Sequence, residues 1–211
     1  MKHLTSIANL CKTDKGTTFE YTHGFTEFYD DFFSKYKDRT VNILEIGIDK
    51  GSSLLMYNAF FDGKCNIYAI DIEDKSEYNT ENIKTFVVDQ SNREQLMEFK
   101  KLIGDVKFDI ILDDGSHWPE HQNISFYYLN DLLSEDGIYI IEDLHTYVWE
   151  DDWGKSPMYS LVYTMPFSYL TTEESYELHS KINDFRIFGR KNDNVALYEN
   201  ASSLTCIITM K

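Results

Sequence analysis

The chain has 211 residues, a formal net charge of −16 at pH 7, and 42% hydrophobic and 15% aromatic residues. Such a content suits one globular domain with a full core and excludes a disordered chain. So acidic a chain, with no basic stripe, also argues against nucleic acid, whose phosphates need clustered Lys and Arg.

Residues 3–37 are rich in aromatics and predict one or two helices around the turn "KTDKGTT". A regular alternation then begins. "VNILEIGI" (41–48) reads as a first strand, followed by a glycine turn and the helical "SSLLMYNAFF". "CNIYAIDI" (65–72) and "IKTFVVD" (83–89) read as the next two strands. "NREQLMEFKKLIG" (92–104) carries Leu96, Met97, Phe99, Leu102 and Ile103 at helical spacing. "FDIILDD" (108–114) is a fourth strand, "PEHQNISFYYLNDLL" (119–133) a helix with Pro119 in its first turn, and "GIYIIED" (137–143) a fifth strand. A loop and a long helical stretch to about Asn183 are expected next, then a C-terminal antiparallel hairpin closing the sheet edge.

Strands that are apolar throughout and alternate with helices predict an α/β fold: a Rossmann-like, doubly wound, mostly parallel sheet covered on both faces. No apolar run nears the ~20 residues of a bilayer span. The first residues lack the apolar core of a secretory signal. Cys11, Cys65 and Cys206 are odd in number and far apart, so no disulfide framework is expected. These features point away from a membrane and towards the cytoplasm.

In a doubly wound sheet, ligands gather at the carboxyl ends of the strands. Glu45, Asp71, Asp89, Asp113, Asp114, Glu142 and Asp143 all fall there. The turn "LEIGIDKGSS" sets Glu45, Gly47, Gly51 and Ser52 between a strand and a helix N-terminus, where glycines admit a ligand close to the backbone. It is neither a dinucleotide fingerprint nor a phosphate loop. Asp71 ends the second strand, where an acid would hold ribose hydroxyls. Asp89 and Gln90 end the third, suited to an adenine amino group, and Asp113 ends the fourth. In register on successive strands, this set resembles the class I S-adenosylmethionine-dependent methyltransferases.

The second half carries the chemistry. Asp114, Glu142 and Asp143 come from the ends of two expected neighbouring strands and could converge on one hard cation such as Mg²⁺, which prefers oxygen ligands. His117 follows Asp114 across the Gly115 turn and is placed to act as a base. His117 and His121 are also spaced to recruit zinc, although Pro119 between them sets them at a helix start, not along one face.

"DDGSH" followed by "GIYIIEDLHTYVW" is similar to the metal-dependent sugar O-methyltransferases of the macrocin and mycinamicin type, and to the related cephalosporin hydroxylase family. That resemblance implies S-adenosylmethionine and Mg²⁺ as cofactors, Asp114, Glu142 and Asp143 as metal ligands, and His117 as base. It also covers the N-terminal "KTDKGTTFEYTHGFTEFYDDFF", where Lys15, His23 and Tyr29 match and Phe25 replaces a usual Tyr. It implies a helical cap segment over 1–40 and a methyltransferase domain over 41–211. Lys15, His23, Tyr29, Tyr147 and Trp149 are then candidate contacts to a small-molecule acceptor, a sugar or nucleotide sugar, with homo-oligomerisation left open. A catechol-type O-methyltransferase and a non-catalytic methyltransferase-like subunit are the competing readings. A hydroxylase fits less well, because two histidines and one carboxylate would be expected of non-haem iron.

Overall fold

The computed structural model describes residues 3–18, 23–144, 153–191 and 201–211. Two short helices, α1 (His3–Cys11) and α2 (Thr26–Ser34), precede the first strand, β1 (Val41–Ile46). The alternation continues with α3 (Ser52–Phe60), β2 (Cys65–Asp71), β3 (Ile83–Val87), α4 (Arg93–Ile103), β4 (Phe108–Asp113), α5 (Pro119–Leu129) and β5 (Leu133–Ile141). Helices α6 (Pro157–Tyr163) and α7 (Thr172–Lys181) lead to the antiparallel strands β6 (Ile182–Lys191) and β7 (Ala201–Met210).

Local sequence explains the boundaries. Asn92 caps α4 by accepting from the N–H groups of Glu94 and Gln95, and Gly104 ends it. Pro119 stands in the first turn of α5. The expected long helix before Asn183 is instead two helices. Thr164 takes a left-handed conformation after α6, and Pro166 cannot continue a helix. A capping box between Thr171 and Glu174 then starts α7 afresh. Strand β5 begins at Leu133, four residues earlier than its apolar run suggests, with a register irregularity opposite Phe108–Ile110.

The seven strands run in the order β3-β2-β1-β4-β5-β7-β6. The first five are parallel, and β7 pairs antiparallel to both β5 and β6. The strand order reverses between β1 and β4, which opens the crevice where ligands bind in such sheets.

Alternate strand residues feed two cores. On one face Val41, Ile43, Ile67, Ile110 and Ile138 pack with Leu4, Ala8, Phe33 and Tyr57 from α1, α2 and α3. On the other, Leu44, Ile111, Tyr139 and Ile208 pack with Leu96, Phe126, Met158 and Leu178 from α4 to α7. Both faces are covered, which accounts for strands that are apolar throughout. The three cysteines form no disulfide. No described helix is long and apolar enough to cross a membrane.

Helices α1 and α2 are therefore part of the sheet's own core. Phe33 is fully buried against the rings of Tyr29, Tyr57, Phe60 and Phe61. Phe33→Ala should lower stability by about 3–5 kcal/mol, and denaturation should remain a single transition. Two transitions would mean that the N-terminal helices fold apart from the sheet.

Candidate active site

A cleft of about 750 Å³ opens at the carboxyl ends of β1, β2, β3 and β4 and includes Asp143 just beyond β5. One half is lined by Gly47, Ile48, Ser52, Asp71, Asp89 and Gln90. Gly47 has φ +88°, and a Cβ there would collide with the Asp114 carbonyl oxygen. This turn thus packs backbone to backbone against the loop after β4, and only glycine fits. Asp71 accepts from the N–H groups of Ile48 and Glu73, 2.9 Å each, which fixes the turn beside the cleft. Asp89 accepts from Ser91 N and Oγ.

Three residues expected at the cofactor have other roles or positions. Glu45 is fully buried behind the cleft, where its carboxylate accepts from Ser53 Oγ at 2.7 Å and Tyr57 OH at 3.2 Å. Asp113 is also fully buried, bonded by Ser125 Oγ and Gln90 Nε2. Gly51 packs against the Tyr78 ring. Gln90 lines the cleft but uses both ends of its amide: Nε2 holds Asp113, and Oε1 accepts from Ser116 N at 2.7 Å. It ties the end of β3 to the loop that follows β4.

The other half of the cleft is acidic. Asp114, His117 and Asp143 bring one ligand atom each to within 4.8 Å of one another. His117 Nδ1 lies 3.5 Å from Asp143 Oδ2, is buried, and makes no hydrogen bond. Both His117 (φ +63°) and Asp143 (φ +55°) hold left-handed backbone conformations, uncommon outside glycine and concentrated at functional sites. Two carboxylates at such spacing fit a hard divalent cation that takes oxygen ligands and retains positions for water or substrate, and the imidazole of His117 stands beside them. His121 stands apart from this group, with its Nδ1 2.8 Å from Ser116 Oγ.

Glu142 is fully engaged inside the protein. Its Oε1 accepts from Tyr29 OH at 2.7 Å and its Oε2 from Lys15 Nζ at 2.6 Å, while Gln122 holds its backbone carbonyl. Lys15, 1% exposed, also bonds Asp114, so its ammonium bridges the ends of β4 and β5. Its loop is fixed by Thr26, whose N–H and hydroxyl both donate to the Lys15 carbonyl. His23 approaches Asp143 at 3.5 Å and lies 2.8 Å from Ser203 Oγ. Phe25, without a hydroxyl to satisfy, is buried and stacked between the His23 and Tyr29 rings. Tyr147 and Trp149 lie outside the described residues.

Charge is crowded here. Burial opposes an ionised Asp114, but Lys15 and His117 hold its pKa below the ordinary value. Burial raises Glu142 well above the usual range despite Lys15, with repulsion from Asp114 and Asp143 adding to it. Asp143 is raised by burial and by Asp114. Burial alone would lower the Lys15 pKa, yet Asp114 and Glu142 leave it well above normal.

Strand order and cleft position define the fold of the class I S-adenosylmethionine-dependent methyltransferases. The sequence is similar to those of the macrocin- and mycinamicin-type O-methyltransferases. It is 41% identical over 151 residues to the demethylmacrocin O-methyltransferase of Streptomyces fradiae, covering 66% of this chain and 38% of that one. It is 37% identical over 145 residues to the mycinamicin VI 2''-O-methyltransferase of Micromonospora griseorubida, covering 65% and 36%. The structure of MycE, a methyltransferase of the mycinamycin pathway in complex with Mg, S-adenosylhomocysteine (SAH) and mycinamycin VI, superposes with a TM-score of 0.74 at 26% identity. That match covers 98% of this chain and 54% of MycE. The chain thus spans well under half the length of the two curated relatives. No family model matches the sequence.

Glu45 gives the site a pH signature. Burial raises its pKa from 4.5 to about 7, against the opposing pull of Lys15 and its two hydrogen bonds. The folded state then binds more protons than the unfolded state between these values, so this residue makes stability fall as pH rises from 4.5 towards 7. Glu45→Gln should remove that slope and gain on the order of 1–3 kcal/mol relative to wild type above pH 7. Urea denaturation of both proteins at pH 5 and pH 8 checks it; an equal difference at the two pH values would contradict it.

Proposed function

We propose that the chain is an S-adenosylmethionine- and Mg²⁺-dependent O-methyltransferase acting on a sugar hydroxyl. The observation that carries this reading is the convergence of Asp114, Asp143 and His117 in the same cleft that Gly47, Asp71 and Asp89 line. Two relatives are named for methylating rhamnosyl tetracenomycin-C, which favours a glycosylated metabolite as acceptor over a polysaccharide precursor or a nucleotide-linked sugar. A cytoplasmic location goes with such a cofactor.

In this reading Gly47 and Asp71 border the S-adenosylmethionine, with the Asp71 carboxylate directed to the ribose hydroxyls. Asp89 borders the adenine. Asp114, Glu142 and Asp143 would hold Mg²⁺. When bound, the cation lowers the pKa of an acceptor hydroxyl and helps orient it. His117 takes the hydroxyl proton. The acceptor oxygen bonds the methyl carbon as the carbon–sulfur bond breaks, and the sulfur keeps the electron pair. His23, on the N-terminal loop at the cleft, would contact the acceptor, and Tyr147 and Trp149 are further candidates by sequence alone.

Purified protein with labelled cofactor, screened against glycosides and nucleotide sugars with and without Mg²⁺, tests the reading. EDTA should stop turnover while leaving SAH affinity nearly unchanged, because the cation serves the acceptor. Calorimetry showing cofactor affinity lost on chelation would contradict that division.

His117→Ala should keep the fold and bind SAH, yet lose at least ~10²-fold in kcat, the lower end of a general base's contribution. His121→Ala should be much milder. Steady-state kinetics of the two variants would exclude His117 as base if the order were reversed.

A further inference from the structure

We propose that Lys15 is a built-in counter-cation of the acidic cluster, sharing the oxygens of Asp114 and Glu142 with the divalent cation, so that metal entry is a partial exchange of ammonium for metal. The inference rests on the functional reading above and concerns how the site holds its cation.

The geometry carries it. Lys15 Nζ reaches the carboxylates of both Asp114 and Glu142, two of the three acids that would hold the metal, and it is almost wholly shielded from water. Asp114, His117 and Asp143 line the cleft, while both carboxylate oxygens of Glu142 are bonded, one to Lys15 and one to Tyr29. For Glu142 to ligate a cation, the Lys15 bond to its Oε2 would have to loosen. An ion at Asp114 takes charge that Lys15 otherwise neutralises, and the ammonium then yields part of its hold.

Charge counting sets the sign. Asp114 and Glu142 share one ammonium, and Asp143 stands beside Asp114. Without Lys15 the cluster has a larger unbalanced negative charge, and so a stronger attraction for a divalent ion. Its cation-free state, however, loses the only ammonium that an ion pair brings to Asp114 and Glu142 among the described residues. Buried charges stripped of a partner are strongly destabilising. Lys15 therefore stabilises the cation-free protein and weakens metal affinity together.

The test uses Lys15→Met, which keeps the chain's bulk without its charge, and Lys15→Arg, which keeps the charge. Calorimetric Mg²⁺ titration should give a Kd at least ~10-fold lower for Lys15→Met than for wild type, the scale of one coupled charge. Its Tm in EDTA should fall, and Mg²⁺ should raise that Tm more than it raises the wild type's. Lys15→Arg should resemble wild type in both. A folded Lys15→Met with equal or weaker Mg²⁺ affinity would overturn the proposal and make Lys15 a fixed scaffold for the ligands. Should Lys15→Met not fold, nitrogen-detected NMR of the wild-type ammonium decides: the Lys15 Nζ resonance must shift on Mg²⁺ addition, and an unmoved resonance in a Mg²⁺-bound protein rejects exchange. Absence of Mg²⁺ binding by the wild type would overturn the functional reading as well, so the two failures are distinct.

Discussion

The fold's central constraint is the burial of an ammonium among carboxylates where β4 and β5 end. Burying a charge is expensive unless it is paired and hydrogen-bonded. Lys15 meets that condition with Asp114 and Glu142, and Tyr29, itself bonded to Thr205, satisfies the other oxygen of Glu142. The arrangement joins three distant parts of the chain: the loop between α1 and α2, the sheet's carboxyl edge, and the last strand. It gives helices α1 and α2 a polar reason to sit where their apolar faces already hold them.

Around this pair, backbone contacts set the cleft. Gly47 meets the Asp114 carbonyl, and Gly115 meets the Gln90 side chain, where a Cβ would strike the amide oxygen. Gln90 in turn holds Asp113 and Ser116. The loop that carries Asp114 and His117 is therefore braced from the β1 turn and from the end of β3, the same elements that line the cofactor half. Left-handed backbone at His117 is sustained by that bracing, since such conformations persist only when their surroundings over-determine them. Cofactor half and acidic half are mechanically one unit.

Much of this was legible in the sequence. Apolar runs marked β1 to β5 because strands covered on both faces have no polar side to show. "DDGSH" and "IED" marked the acidic cluster because they set acids at the carboxyl ends of two neighbouring strands. Other parts were not legible. Glu45 and Asp113 look like cofactor ligands by position, yet both face the interior, where Ser53, Tyr57, Ser125 and Gln90 satisfy them; no pattern in one sequence distinguishes a buried acid from a cleft acid. The bridging role of Lys15 depends on partners 99 and 127 residues away, and those of His23 and Tyr29 on Ser203 and Thr205 in β7. The break between α6 and α7 was signalled by Pro166 and by Thr171–Glu174, cues that a helical reading of the whole stretch overrode.

The most direct test of the account is a crystal structure of the protein grown with Mn²⁺, in place of Mg²⁺, and SAH. Anomalous scattering should reveal one strong peak bounded by Asp114 and Asp143 beside His117, with the cofactor lying along Gly47 and Asp71. An anomalous map with no peak at these carboxylates, in a crystal where the cofactor is bound, would contradict a cation-assisted methyl transfer at this site.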